Sequence, residues 1–76
     1  MESVNVSLET IDKVKGFVSI VSNHDGDILL NSARYAVNAK SIMGIFSLDL
    51  GKTLRMDILN QANADAVIEQ LKEYVV

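Results

Sequence analysis

From Glu2 to Leu8 the chain alternates, with Val4, Val6 and Leu8 on one side and Ser3, Asn5 and Ser7 on the other. A period of two predicts a strand with one face buried. At Ile11 the period changes. Ile11, Val14, Phe17, Val18 and Val21 recur at intervals of three and four, which predicts an amphipathic helix. Thr10 stands where its N-cap is needed, and Asp12 suits the positive first turn. The helix is expected to end near Ser22–Asn23, with Asp25-Gly26 as the turn that follows. Gly16 inside it costs about 1 kcal/mol relative to alanine, which suggests that a backbone packs closely against it.

Asp27 to Asn31 and Arg34 to Asn38 read as two short strands joined through Ser32-Ala33. Ser41 to Leu48 is apolar on too many sides for a half-exposed strand, and Ser41 can cap a short helix there. Asp49 to Lys52 is a turn. Alternation then returns over Thr53 to Leu59, with Leu54, Met56 and Ile58 on one face. Ala64, Val67, Ile68, Leu71 and Val75 form a last helical stripe, capped by Asn60 or Asn63.

This βαββαβα order predicts an α/β (α+β) two-layer, open-faced sandwich: an antiparallel sheet with helices on one face. The expected core comprises Val4, Val6, Val14, Phe17, Val18, Val21, Ile58, Val67, Ile68 and Leu71. Periodicity does not set the order of the strands. Seventy-six residues without linker, repeat or low-complexity stretch suggest one domain over residues 1–76.

Composition narrows the function. The net charge is −3 and the seven basic residues are scattered, so no clustered face for nucleic acid is visible. No apolar run reaches membrane-spanning length and no leader-like N-terminus is seen, so a cytoplasmic location is expected. Cysteine is absent, which removes disulfides and thiolate metal sites. Asn23-His24-Asp25-Gly26-Asp27 lacks the further oxygen ligands and closing glutamate of a calcium loop, and reads as a turn. No nucleophile–base pair, metal cluster or phosphate-cradling glycine loop stands out, so neither an enzyme nor a cofactor is expected.

The segment Lys40-Ser41-Ile42-Met43-Gly44-Ile45-Phe46-Ser47-Leu48 resembles the regulatory-serine segment of HPr, the small phosphocarrier of the bacterial sugar phosphotransferase system. The predicted element order agrees with that family over the whole chain. The resemblance implies a four-stranded sheet ordered 1-4-2-3 with three helices on one face. It also implies regulatory phosphorylation at Ser41 by an HPr kinase-like enzyme, and an apolar partner-binding patch on the Ser41 helix. Ile42, Met43 and Phe46 are the candidates for that patch, although core packing explains each nearly as well.

The family's other signature is a histidine opening the first helix, followed by alanine, arginine and proline. Counting back from Ser41 without gaps places Thr10 at the histidine, Asp12 at the arginine and Lys13 at the proline. The absence of the histidine does not depend on the register of that count, because no histidine precedes His24. His24 itself, near the negative end of the first helix, reads as a solvated residue. Imidazole holds phosphate in a labile P–N bond, whereas a threonine ester is a poor donor, and Asp12 would repel the phosphate.

Two readings follow from the resemblance. The first is a protein-binding regulator of phosphotransferase-system type, with a transcriptional regulator as a further partner. One branch of the family lacks the histidine, keeps the serine and acts in that way. The second is a genuine phosphocarrier in phosphoenolpyruvate-dependent sugar transfer. A third, more remote, is a domain that has lost both roles.

Overall fold

The computed structural model of the chain describes residues 2–33 and 35–76. Its elements are β1 (Glu2–Val6), α1 (Ile11–Val21), β2 (Ile28–Asn31), β3 (Ala36–Asn38), α2 (Ile42–Phe46), β4 (Leu54–Ile58), a 3-10 turn (Gln61–Asn63) and α3 (Ala64–Gln70). The four strands form one antiparallel sheet ordered β1-β4-β2-β3, the order implied by the resemblance.

β4 lies between β1 and β2, pairing Met56 with both Val4 and Leu30. Its side chains alternate as expected: Leu54, Met56 and Ile58 enter the core. From the helical layer come Val14, Phe17 and Val21 of α1, Ile45 of α2, and Ala64 and Val67 of α3. The opposite face of the sheet is bare of helices and carries polar side chains together with Leu29 and Ala36. On it, Asp57 is only 6% exposed. Its carboxylate accepts from Ser3 Oγ at 2.6 Å, Asn31 Nδ2 at 2.9 Å and Arg55 Nε at 3.1 Å. Three strands thus share one anion, which is how a charge tolerates that burial.

Several expectations need correction. Among the expected core residues, Val4, Val18 and Ile68 are half-buried, lying at the margin of the core instead of within it. Ile11 opens the apolar stripe of α1 yet is 62% exposed and takes no part in the core. The strand expected over Arg34–Asn38 is observed as Ala36–Asn38, and Arg34 lies outside the described residues. Asn63 occupies the N-cap position of α3 without a side-chain cap; its Nδ2 instead donates to Asp25 O at 3.1 Å. Asn60 takes the capping role one turn earlier, accepting from Ala62 N at 3.1 Å.

α3 also ends sooner than its stripe suggests. After Gln70 the chain turns, burying Leu71 and Tyr74, and Val75 forms a bridge with Val6. Ser7 N donates to Tyr74 O at 2.8 Å and Val76 N to Asn5 O at 3.0 Å. An edge strand offers unpaired backbone groups, and this tail satisfies part of the free edge of β1. That bonding outweighs one more helical turn. The close contact at Gly16 is likewise with the Tyr74 side chain rather than with backbone.

Candidate functional site

Thr10 is the N-cap of α1. Its backbone is extended (φ −126°, ψ 160°), and its hydroxyl oxygen accepts from Lys13 N at 3.1 Å. That bond satisfies one of the donors left open at a helix start. Beside it is a shallow cleft of about 220 Å³ lined by Asp12, Lys13, Glu73 and Tyr74. Burial pushes the Tyr74 hydroxyl above its ordinary pKa, and the neighbouring Glu73 carboxylate adds to the rise. Of the charged residues lining that cleft, the carboxylates Asp12 and Glu73 oppose an incoming phosphate and outnumber the one cation, Lys13.

Ser41 caps α2 in the same way. Its backbone is extended (φ −99°, ψ 103°), its hydroxyl oxygen accepts from Gly44 N at 3.2 Å, and its carbonyl accepts from Ile45 N at 3.0 Å. The residue is exposed. Gly44 allows the helix to lie close to β3: a Cβ there would come within 3.3 Å of Val37 Cβ and 3.1 Å of Ser41 Oγ. At the other end Ser47 Oγ donates to Gly44 O at 2.6 Å, and Tyr35 Oη donates to Ser47 O at 2.8 Å. A five-residue helix has little stability alone. Serine bonds at both ends and the Tyr35 strut hold this one.

Two of the three candidate patch residues are exposed: Met43 at 75% and Phe46 at 38%. Ile42 is half-buried and packs on the core, and Ile45 between them is fully buried. Helical spacing explains the division, since Met43 and Phe46 are three residues apart and share a face. α1 packs against α2, and the exposed Ile11 lies in the first turn of α1, next to Thr10. The helical period puts Ile11 on the apolar stripe of α1, and the sequence pattern gives Tyr35 no role. Both are large exposed apolar side chains, Tyr35 at 50%. Only their surroundings in the fold could have revealed that.

Lys40 precedes the cap. Its Nζ donates to His24 O at 2.6 Å, joining the start of α2 to the turn after α1. His24 Nε2 in turn lies 3.0 Å from Gln70 Oε1, a hydrogen-bonded pair. His24 is therefore half-buried and tied to α3, more constrained than a solvated helix-end residue. It stands at the opposite end of α1 from Thr10. Among the described residues no group of histidine, cysteine, aspartate or glutamate is arranged to hold a metal, and no helix is long and apolar enough to cross a membrane. Gly26, at φ 92°, makes the turn expected of Asp25-Gly26.

Residues 13–76 match the family described as "PTS HPr component phosphorylation site". No curated protein matches the sequence. Among solved structures, the chain is similar to HPr-C-His from Thermoanaerobacter tengcongensis, with 25% identity and a TM-score of 0.81 over 96% of this chain and 89% of that one. It is also similar to the phosphocarrier protein HPr from Bacillus anthracis str. Ames, with 32% identity and a TM-score of 0.70 over 99% of this chain and 94% of that one. HPr, the protein that gives the family its name, is a phosphocarrier and not an enzyme. Fold order, the Ser41 segment and the match over residues 13–76 agree: the chain belongs to the HPr family of the phosphotransferase system.

Proposed function

We propose that this protein is a regulatory, protein-binding member of its family, controlled by phosphorylation at Ser41 and not acting as a histidine phosphocarrier. The observation that carries the reading is the setting of Ser41: an exposed hydroxyl at the cap of α2, beside the exposed Met43 and Phe46. An HPr kinase-like enzyme would move the terminal phosphoryl group of a nucleoside triphosphate onto Ser41 Oγ. The hydroxyl proton passes to the enzyme's base and the nucleoside diphosphate leaves. The product adds a charge of about −1.5 to −2 next to the apolar patch. Partners that bury Met43 and Phe46 are weakened, while a transcriptional regulator with an arginine placed for the phosphate gains.

The second reading, phosphocarriage, is supported by the family. Against it stand Thr10 and Asp12 at the start of α1, and the remote position and Gln70 bond of the only histidine, His24. The deciding experiment incubates the protein with purified HPr kinase and ATP and maps the phosphate by mass spectrometry, with Ser41→Ala as control. Stoichiometric phosphate at Ser41 is expected. Phosphate elsewhere, or none, overturns the regulatory reading.

A further inference from the structure

Lys40 is half-buried, and the partner of its ammonium is a neutral carbonyl, that of His24, at 2.6 Å. Among the described residues Lys40 makes no ion pair. It therefore carries a positive charge without an ion-pair partner on the residue next in sequence to the serine proposed to receive a dianion. We propose that phosphate on Ser41 draws the Lys40 ammonium away from the His24 carbonyl, so that modification at α2 loosens the turn after α1. The inference rests on the phosphorylation reading above and deepens it.

The physical argument is a competition for one cation. A phosphate offers three strong acceptor oxygens and nearly two negative charges, against a single carbonyl dipole. The flexible four-carbon stem of lysine lets the ammonium follow the stronger partner. The turn it leaves is a junction. Asp25 O accepts from Asn63 Nδ2 at 3.1 Å, and His24 Nε2 meets Gln70 Oε1 at 3.0 Å. Both ends of α3 thus rest on the segment that Lys40 holds. When a bond supporting a turn is lost, local opening becomes easier, without unfolding the core.

The test places phosphoserine at position 41 during synthesis, so that no kinase is needed and its failure cannot be confused with failure of the relay. Amide NMR shifts are then compared with the unmodified protein. Changes are expected at Asn23, His24, Asp25 and Gln70 as well as near Ser41. Exchange of the His24 amide, which donates to Val21 O, should rise several-fold. Lys40→Ala without phosphate should reproduce the remote changes, and phosphoserine added to Lys40→Ala should move only residues 39–47. If Lys40→Ala does not fold, the Lys40 Nζ signal decides: its shift should track ionisation of the phosphate near pH 6. Shifts confined to residues 39–47 in the phosphoserine protein with Lys40 intact, or an Nζ signal blind to the phosphate, overturn the inference.

Discussion

The hydroxyl of Tyr74 lies where a side chain on Gly16 would begin, and the Tyr74 ring meets Phe17 edge-on at 6.0 Å. The glycine is the slot and the tyrosine its filler. Gly16→Ala gains helix propensity worth about 1 kcal/mol but forces the phenol against a new methyl group, at a cost of about 1–3 kcal/mol. Net destabilisation is expected in urea denaturation. In a Tyr74→Phe background the hydroxyl is gone and the nearest ring carbon stands 3.6 Å from the new Cβ, an ordinary contact. There the alanine should be neutral or stabilising. An equal loss in both backgrounds refutes this account of Gly16.

Asp57 gives a pH dependence. Burial alone would raise its pKa, but hydrogen bonds from Ser3, Arg55 and Asn31, with the Arg55 charge, outweigh burial and hold it below the ordinary carboxylate value. A lowered folded-state pKa means that the unfolded chain takes up the proton first as pH falls. The stabilisation is complete above the unfolded value of about 3.9 and fades as pH drops through the folded one. Asp57→Asn should be less stable than wild type at pH 7, with a shallower acid limb. Parallel stability curves from pH 6 to 2 would contradict this.

Patch and core positions on α2 should separate cleanly. Ile45→Ala empties a fully buried site and should cost about 2–5 kcal/mol. Met43→Ser, at a side chain 75% exposed, should change stability by no more than about 0.5 kcal/mol while weakening any partner that docks on α2. Thermal melts together with a binding assay on the kinase provide the comparison.

Ser41→Ala removes the cap on Gly44 N and should cost about 0.5–2 kcal/mol. Ser41→Asp keeps an oxygen acceptor at the helix start and should fold with near wild-type stability. An unfolded Ser41→Asp protein would remove the regulatory reading and leave the family membership intact.

Phosphoryl uptake from phosphoenolpyruvate through enzyme I is expected to be absent. Acid-labile, stoichiometric phosphate in the reconstituted mixture would overturn that. Thr10→His should not restore full activity, because Asp12 and Glu73 still line the cleft beside it.

Element order, element types and most of the core were legible in the chain, because each element writes its own period. Val14, Phe17 and Val21 sit on one side of α1 for a reason that operates over a few residues. Ser41 and Thr10 were legible as caps on the same ground. Whether Ile11 is covered, where α3 stops and what fills the space at Gly16 depend on residues far away in sequence. Tyr74, Val75 and Val76 abandon the helix for the edge of β1 because unpaired strand backbone was waiting there, and no local pattern announces it. Asp57 looked like one more polar position in an alternating strand; only the pairing of β4 with β1 and β2 brought Ser3 and Asn31 to its oxygens. The lack of an early histidine, with its consequence for phosphate chemistry, is a property of the sequence by itself. The tie from Lys40 through His24 to Gln70 exists only because folding brings the start of α2, the end of α1 and the end of α3 together. Local periodicity selects elements, whereas hydrogen bonds between distant residues form only once packing has set those elements side by side.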